Sequence, residues 1–139
     1  YRVVASRLGI TEKTRVQDWL ARVNLKTRQF SKVEELSAGE KQRVAIVRGL
    51  IGEPDLILAD EATASLDPHI GEQMAEMLFG QAEETGSTLL FATHWVSLAR
   101  RLATRVVGLR AGKVVLDAPA KAISDDDIES LYAGSDEQH

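Results

Sequence analysis

The run Leu56-Ile57-Leu58-Ala59 most limits what this chain can become. Gly52, Glu53, Pro54 and Asp55 precede it and Asp60 and Glu61 follow it, so the apolar stretch is bounded on both sides. It is too short for a helix. An unbroken apolar run of this length predicts a strand covered on both faces, as in parallel sheets flanked by helices. Thr88 to Ala92 has the same form. Between the two runs, Asp67 reads as an N-cap and Pro68 as a first helical residue. Ile70, Met74, Met77 and Leu78 then follow at helical spacing as far as Gly86. Strand, helix and strand in that order predict an α/β fold with a crossover between parallel strands. Ligands of such sheets gather beyond the carboxyl ends of the strands, which here carry Asp60 and Glu61 on one and Thr93 and His94 on the other.

The flanking segments are helical or turn-like. Val16, Trp19, Leu20 and Val23 recur at i, i+3, i+4 and i+7, with Thr11 as an upstream cap. A polar connection from Asn24 to Glu35 follows, with Phe30 and Val33 expected to anchor it. Ser37 and Glu40 then have capping-box spacing, which predicts a helix from Ser37 to about Ile51. After His94, a helix containing Leu98 and Leu102 leads to an edge hairpin. Its strands are Arg105 to Leu109 and Lys113 to Leu116, joined by a turn at Ala111 and Gly112. Ser124 caps a last short helix through Ile128 and Leu131, and the tail from Gly134 to His139 is polar.

Composition removes several classes of function. The net charge of -4 over 139 residues leaves no broad basic field, so nucleic acid is not an expected partner. The absence of cysteine removes disulfides, thiolate metal sites and cysteine nucleophiles. No apolar run approaches the roughly 20 residues that cross a bilayer, so membrane contact is expected through a partner. The chain opens at Tyr1, and its two methionines, Met74 and Met77, lie inside one helical pattern, so an earlier natural start is expected.

Taken alone, Asp60 and Glu61 read equally well as loop solvation or helix capping. Their neighbours give them company. LSAGEKQR at Leu36 to Arg43 resembles the signature motif of ABC transporter ATPases, and LILADE at Leu56 to Glu61 resembles their Walker B strand with its catalytic glutamate. ASLD at Ala64 to Asp67 resembles the D-loop, and His94 resembles the switch histidine. All stand in the family's order. The resemblance implies the C-terminal part of a P-loop NTPase domain of the ABC type. Residues 1–50 would form mostly the helical subdomain, 51–118 the second half of the catalytic core, and 119–139 a terminal helix and tail.

The resemblance also implies roles. Asp60 would hold Mg2+ through its water shell, Glu61 would act as general base on the attacking water, and His94 would contact the γ-phosphate. Ser37, Ala38, Gly39 and Glu40 would face ATP held by a second ATPase subunit in a head-to-tail dimer, with Asp67 linking the two sites. Such subunits drive transmembrane permeases from the cytoplasmic face of the plasma membrane, as peripheral proteins. The usual signature reads LSGGQ, so Ala38 and Glu40 are departures. A methyl at Ala38 fits a helical backbone, and Glu40 keeps the capping geometry although its charge would repel a phosphate it faced. Ala62 stands where many members have Pro. No G-x-x-x-x-G-K-[ST] run occurs in the sequence, so residues 1–139 alone are expected not to hydrolyse ATP.

RVVGLRAGKVVLDAP at Arg105 to Pro119, with TASLDP at Thr63 to Pro68, resembles the phosphonate-importer branch. Two other readings use the same motifs: a soluble ABC ATPase of DNA repair or translation, and a non-catalytic remnant. Trp19 is expected in the core and Trp95 as a partly buried loop anchor. His69 and His139 are expected in solvent, Arg100 and Arg101 as caps near Ala103, and Asp125 to Asp127 as charge complementing a helix N-terminus.

Overall fold

The computed structural model describes residues 10–132, which divide between Ala92 and Thr93 into two compact units. This partition is distinct from the motif-based one at residues 50 and 118.

In the first unit, helix α1 (Ile10–Arg22) presents Trp19 to the core, and Val23, just past its end, is fully buried. Arg22 lies over the Trp19 ring, 5.0 Å from its centroid, so the ring is covered by a cation rather than open to water. Thr11 lies inside this helix and does not cap it. The connection that follows is held by Leu25, which is 1% exposed, whereas Phe30 is 89% exposed and Val33 half-buried. The expected anchor Phe30 is therefore displaced by Leu25. A one-turn 3-10 helix at Lys26–Arg28 begins immediately after Leu25 and carries the chain away from the core before Phe30 is reached. Helix α2 (Ala38–Leu50) begins at the Ser37 cap and buries Ile46, Val47 and Leu50.

Strand β1 (Leu56–Asp60) pairs in parallel with β2 (Thr88–Ala92), Ile57 opposite Leu89 and Ala59 opposite Phe91. Between them, α3 (Pro68–Thr85) is the crossover, with Asp67 as N-cap and Gly86 as C-cap. Met74, Leu78 and Ala82 join Ile57, Ala59, Ile46, Val47 and Leu50 in one apolar cluster, and Phe79 meets Phe91 at 5.5 Å between ring centroids. The parallel pairing was legible in the sequence, but burial on both faces was not realised. Burial alternates along β1, and Leu56, Leu58 and Leu90 on the second face are more than half exposed. A pleated strand sends successive side chains to opposite faces. Here helices cover only the face bearing Ile57 and Ala59 among the described residues.

In the second unit, α4 (Val96–Leu102) buries Leu98, and an antiparallel hairpin joins β3 (Arg105–Arg110) to β4 (Lys113–Pro119). Ala111 and Gly112 have φ of 48° and 74°, the left-handed pair that matches a two-residue turn to strand twist. The register shifts between Gly108 and Leu109. A Cβ at Gly108 would run into Leu131 Cδ2, so a side chain there requires Leu131 to shift. Helix α5 (Asp125–Tyr132) starts from Ser124, whose hydroxyl accepts the Asp127 N–H at 3.1 Å while Asp127 accepts the Ser124 N–H at 2.8 Å. Arg100 does not cap α4. Its Nη1 donates to Asp125 Oδ1 at 2.5 Å, an electrostatically stronger acceptor than a helix-end carbonyl. His139 and the tail lie outside the described residues.

Candidate nucleotide site

The Ser37–Glu40 element is a complete reciprocal cap. Ser37 Oγ accepts the Glu40 N–H at 3.2 Å, and Glu40 Oε2 accepts the Ser37 N–H at 2.8 Å. Two of the free donors of the first turn are thereby satisfied, which explains why the helix starts here. Ala38 is the first helical residue and is exposed, so its methyl is accommodated as the sequence implied. The Glu40 carboxylate does not point freely outward. Its Oε1 accepts from Arg28 Nε at 3.1 Å, and the side chain is only 16% exposed. The Ser37 backbone N–H, and behind it Arg28, hold its pKa below the ordinary carboxylate value against the opposing effect of partial burial.

Asp60 ends β1 and Glu61 begins the following loop, both exposed. Glu61 has φ of 46°, a left-handed conformation that L-residues with a side chain rarely adopt. Its N–H still donates to Ala92 O at 3.1 Å, so the ladder reaches one residue past the strand. The loop then folds on itself, with Ala64 N–H bonded to Glu61 O and Leu66 N–H to Thr63 O, each at 3.1 Å. Ala62, Thr63 and Leu66 are buried. Asp67 spends Oδ1 on the His69 N–H at 3.0 Å, capping α3.

Two contacts that the sequence did not reveal bind α2 to this loop. Gln42 Nε2 donates to Ala62 O at 2.8 Å, and Gly39 faces Leu66, whose Cδ2 lies 3.4 Å from where a Cβ would stand, an ordinary contact distance. Ser37 to Glu40 and Ala62 to Asp67 are thus neighbouring parts of one unit. His94 belongs to the other unit. It is exposed, precedes α4, and meets the Trp95 ring edge-on at 6.1 Å. Trp95 is half-buried and its N–H donates to Thr93 Oγ1 at 3.1 Å, the loop-anchor role expected for it. His69 is exposed, as expected, and pairs with Gln73.

Among the described residues no three His, Cys, Asp or Glu side chains converge as a metal cluster. Mg2+ takes oxygen ligands and keeps several waters, so a single carboxylate can serve as its protein ligand. Asp60, an exposed carboxylate on a strand end, has the chemistry for that part.

A parallel β-α-β unit with carboxylates at the first strand's end, beside a helix opening on LSAGE, is the arrangement of an α/β nucleotide-binding domain of the ABC type. The comparisons with known proteins agree. The profile of the ABC transporter family matches residues 2–64. The phosphonates import ATP-binding protein PhnC of Shouchella clausii (strain KSM-K16) is 44% identical over 113 residues, covering 81% of this chain and 42% of that protein. The protein of the same name from Staphylococcus aureus (strain USA300) is 41% identical over 121 residues, covering 87% and 47%. Among solved structures, a metal-chelate type ABC transporter in an inward-facing conformation superposes with a TM-score of 0.74 at 21% identity, covering 91% of this chain and 50% of that one. The chain belongs to the ABC transporter ATPase family, and it spans about half the length of the curated relatives it matches. No helix of the described residues is long and apolar enough to cross a membrane.

Proposed function

We propose that the protein containing this chain is the ATP-hydrolysing subunit of an importer, with phosphonates as the transported class. The observation that carries the reading is the placement of Asp60 and Glu61 at the carboxyl end of a parallel strand, packed beside a capped helix that opens with Ser37. In this reading Asp60 would hold Mg2+, which when bound would neutralise phosphate charge. Glu61 accepts a proton from the attacking water, which its orientation at the strand end holds in line, and His94 donates to the γ-phosphate. The Ser37 hydroxyl and the N–H groups of Ala38 and Gly39 form an anion-binding helix terminus for ATP held by a second subunit, with Glu40 completing its cap. The Glu40 carboxylate is engaged by the Ser37 N–H and Arg28. Asp67, near the subunit boundary, links the two sites.

Closure of two such subunits on ATP then moves a permease from the cytoplasmic face of the membrane, where the subunit is peripheral. The motif-based division into a helical subdomain up to residue 50 and a core beyond it belongs to this reading, since the permease would dock on the former. Phosphonate as solute rests on the names of the similar proteins.

Light scattering on the complete gene product tests it. Glu61→Gln with MgATP is expected to elute as a dimer and without nucleotide as a monomer. A monomer under both conditions overturns the shared-site reading.

A further inference from the structure

We propose that Gln42 is a positioning residue, fastening the loop that bears Glu61 to the helix that opens with Ser37. The inference rests on the functional reading above and adds a residue that the reading does not use. Gln42 lies just beyond the first turn of α2, half-buried, and donates from Nε2 to Ala62 O at 2.8 Å. Ala62 directly follows Glu61, whose φ of 46° is the only left-handed backbone in the segment from Leu56 to Asp67. Such a conformation persists where its surroundings over-determine it. Several of those surroundings are identifiable. On one side, the Glu61 N–H is held by Ala92 O. On the other, the Ala62–Thr63 peptide plane is held by Gln42, and the loop closes through Ala64 to Glu61 and Leu66 to Thr63. Removing the Gln42 donor weakens the second side, which keeps the Ala64–Glu61 and Leu66–Thr63 bonds.

The consequence reaches from one motif to the other. Ser37 to Glu40 and Gln42 ride on the same helix, and Gly39 faces Leu66 of the same loop. A nucleotide that presses on the helix terminus therefore bears on the backbone that aims Glu61. Since orientation governs the proton-accepting step, loss of the link lowers turnover more than nucleotide affinity.

The test uses the complete gene product. Gln42→Met keeps the length and burial of the side chain and removes the donor, whereas Gln42→Lys keeps a donor. Gln42→Met is expected to lower kcat by about threefold to tenfold, the range set by one ordinary hydrogen bond, with KM for MgATP within about twofold of wild type. Without nucleotide, hydrogen exchange at the Ala64 and Leu66 amides is expected to quicken by about fivefold, with the Leu78 amide unchanged. Gln42→Lys is expected to restore both.

Wild-type kcat in Gln42→Met overturns the proposal, and so does faster exchange that includes Leu78, which marks a merely structural role. If Glu61→Gln itself hydrolyses ATP at the wild-type rate, the functional reading fails. The exchange arm still tests the link.

Discussion

Replacing Ser37 with Ala isolates the cap on which the nucleotide reading depends. The substitution removes the Oγ that accepts the Glu40 N–H at 3.2 Å and leaves the Ser37 N–H bond to Glu40 Oε2, at 2.8 Å, intact. Loss of an N-cap acceptor costs about 0.5–2 kcal/mol. Two features place this case in the lower half of that range. The surviving bond is the shorter of the two and charge-assisted, and Ser37 is exposed, so water can reach the orphaned N–H. A loss of about 0.5–1 kcal/mol follows, equivalent to about 1–4 °C in Tm for a protein of 150–250 residues. Urea unfolding of the complete gene product, followed by circular dichroism, is the assay, with the m-value expected to be unchanged. No loss would mean that the cap does not organise the helix. A loss above about 3 kcal/mol would mean that Ser37 carries interactions beyond the cap.

Other expected outcomes follow from single observations. Leu50 is 1% exposed in the core, so Leu50→Ala should cost about 2–5 kcal/mol in the same unfolding assay, and a cost below about 1 kcal/mol would place it outside the core. Ala111 occupies a left-handed turn position that Asn tolerates, so Ala111→Asn should raise stability by about 0.5–1 kcal/mol; a fall in Tm would contradict that turn geometry. Asp127, bonded to the Ser124 hydroxyl and N–H, and Asp117, bonded to Arg105, both have depressed pKa values. A carboxylate with a depressed folded pKa stabilises above its ordinary unfolded value and loses that contribution as pH falls through the folded one. Acid titration of Tm should therefore be shallower in Asp127→Asn below the ordinary carboxylate range, and an unchanged slope would refute the assignment.

Much of this was legible locally. The Ser37–Glu40 box, the Asp67–Pro68 helix start and the Ala111–Gly112 turn depend on residues within a few positions of one another, and each is where the sequence implies. Phe30 was misread because hydrophobicity does not reveal where a 3-10 turn points a side chain, and Leu25 took the buried place instead. The exposure of Leu58 and Leu90 was hidden for a related reason. An unbroken apolar run indicates that both faces can be covered, but cover is supplied by other elements. Within the candidate site, residue types marked Asp60 and Glu61. Neither the left-handed backbone at Glu61 nor the Gln42–Ala62 bond leaves a pattern in sequence, because one is a backbone torsion and the other joins residues 20 apart in the chain.

ATP turnover by the complete gene product and its Glu61→Gln variant, measured beside nucleotide binding, tests the central claim most directly. The account expects the variant to bind MgATP with affinity near that of the wild type and to lose turnover by at least about a hundredfold, as removal of a general base does. Turnover at the wild-type rate would contradict it and remove Glu61 from the chemistry.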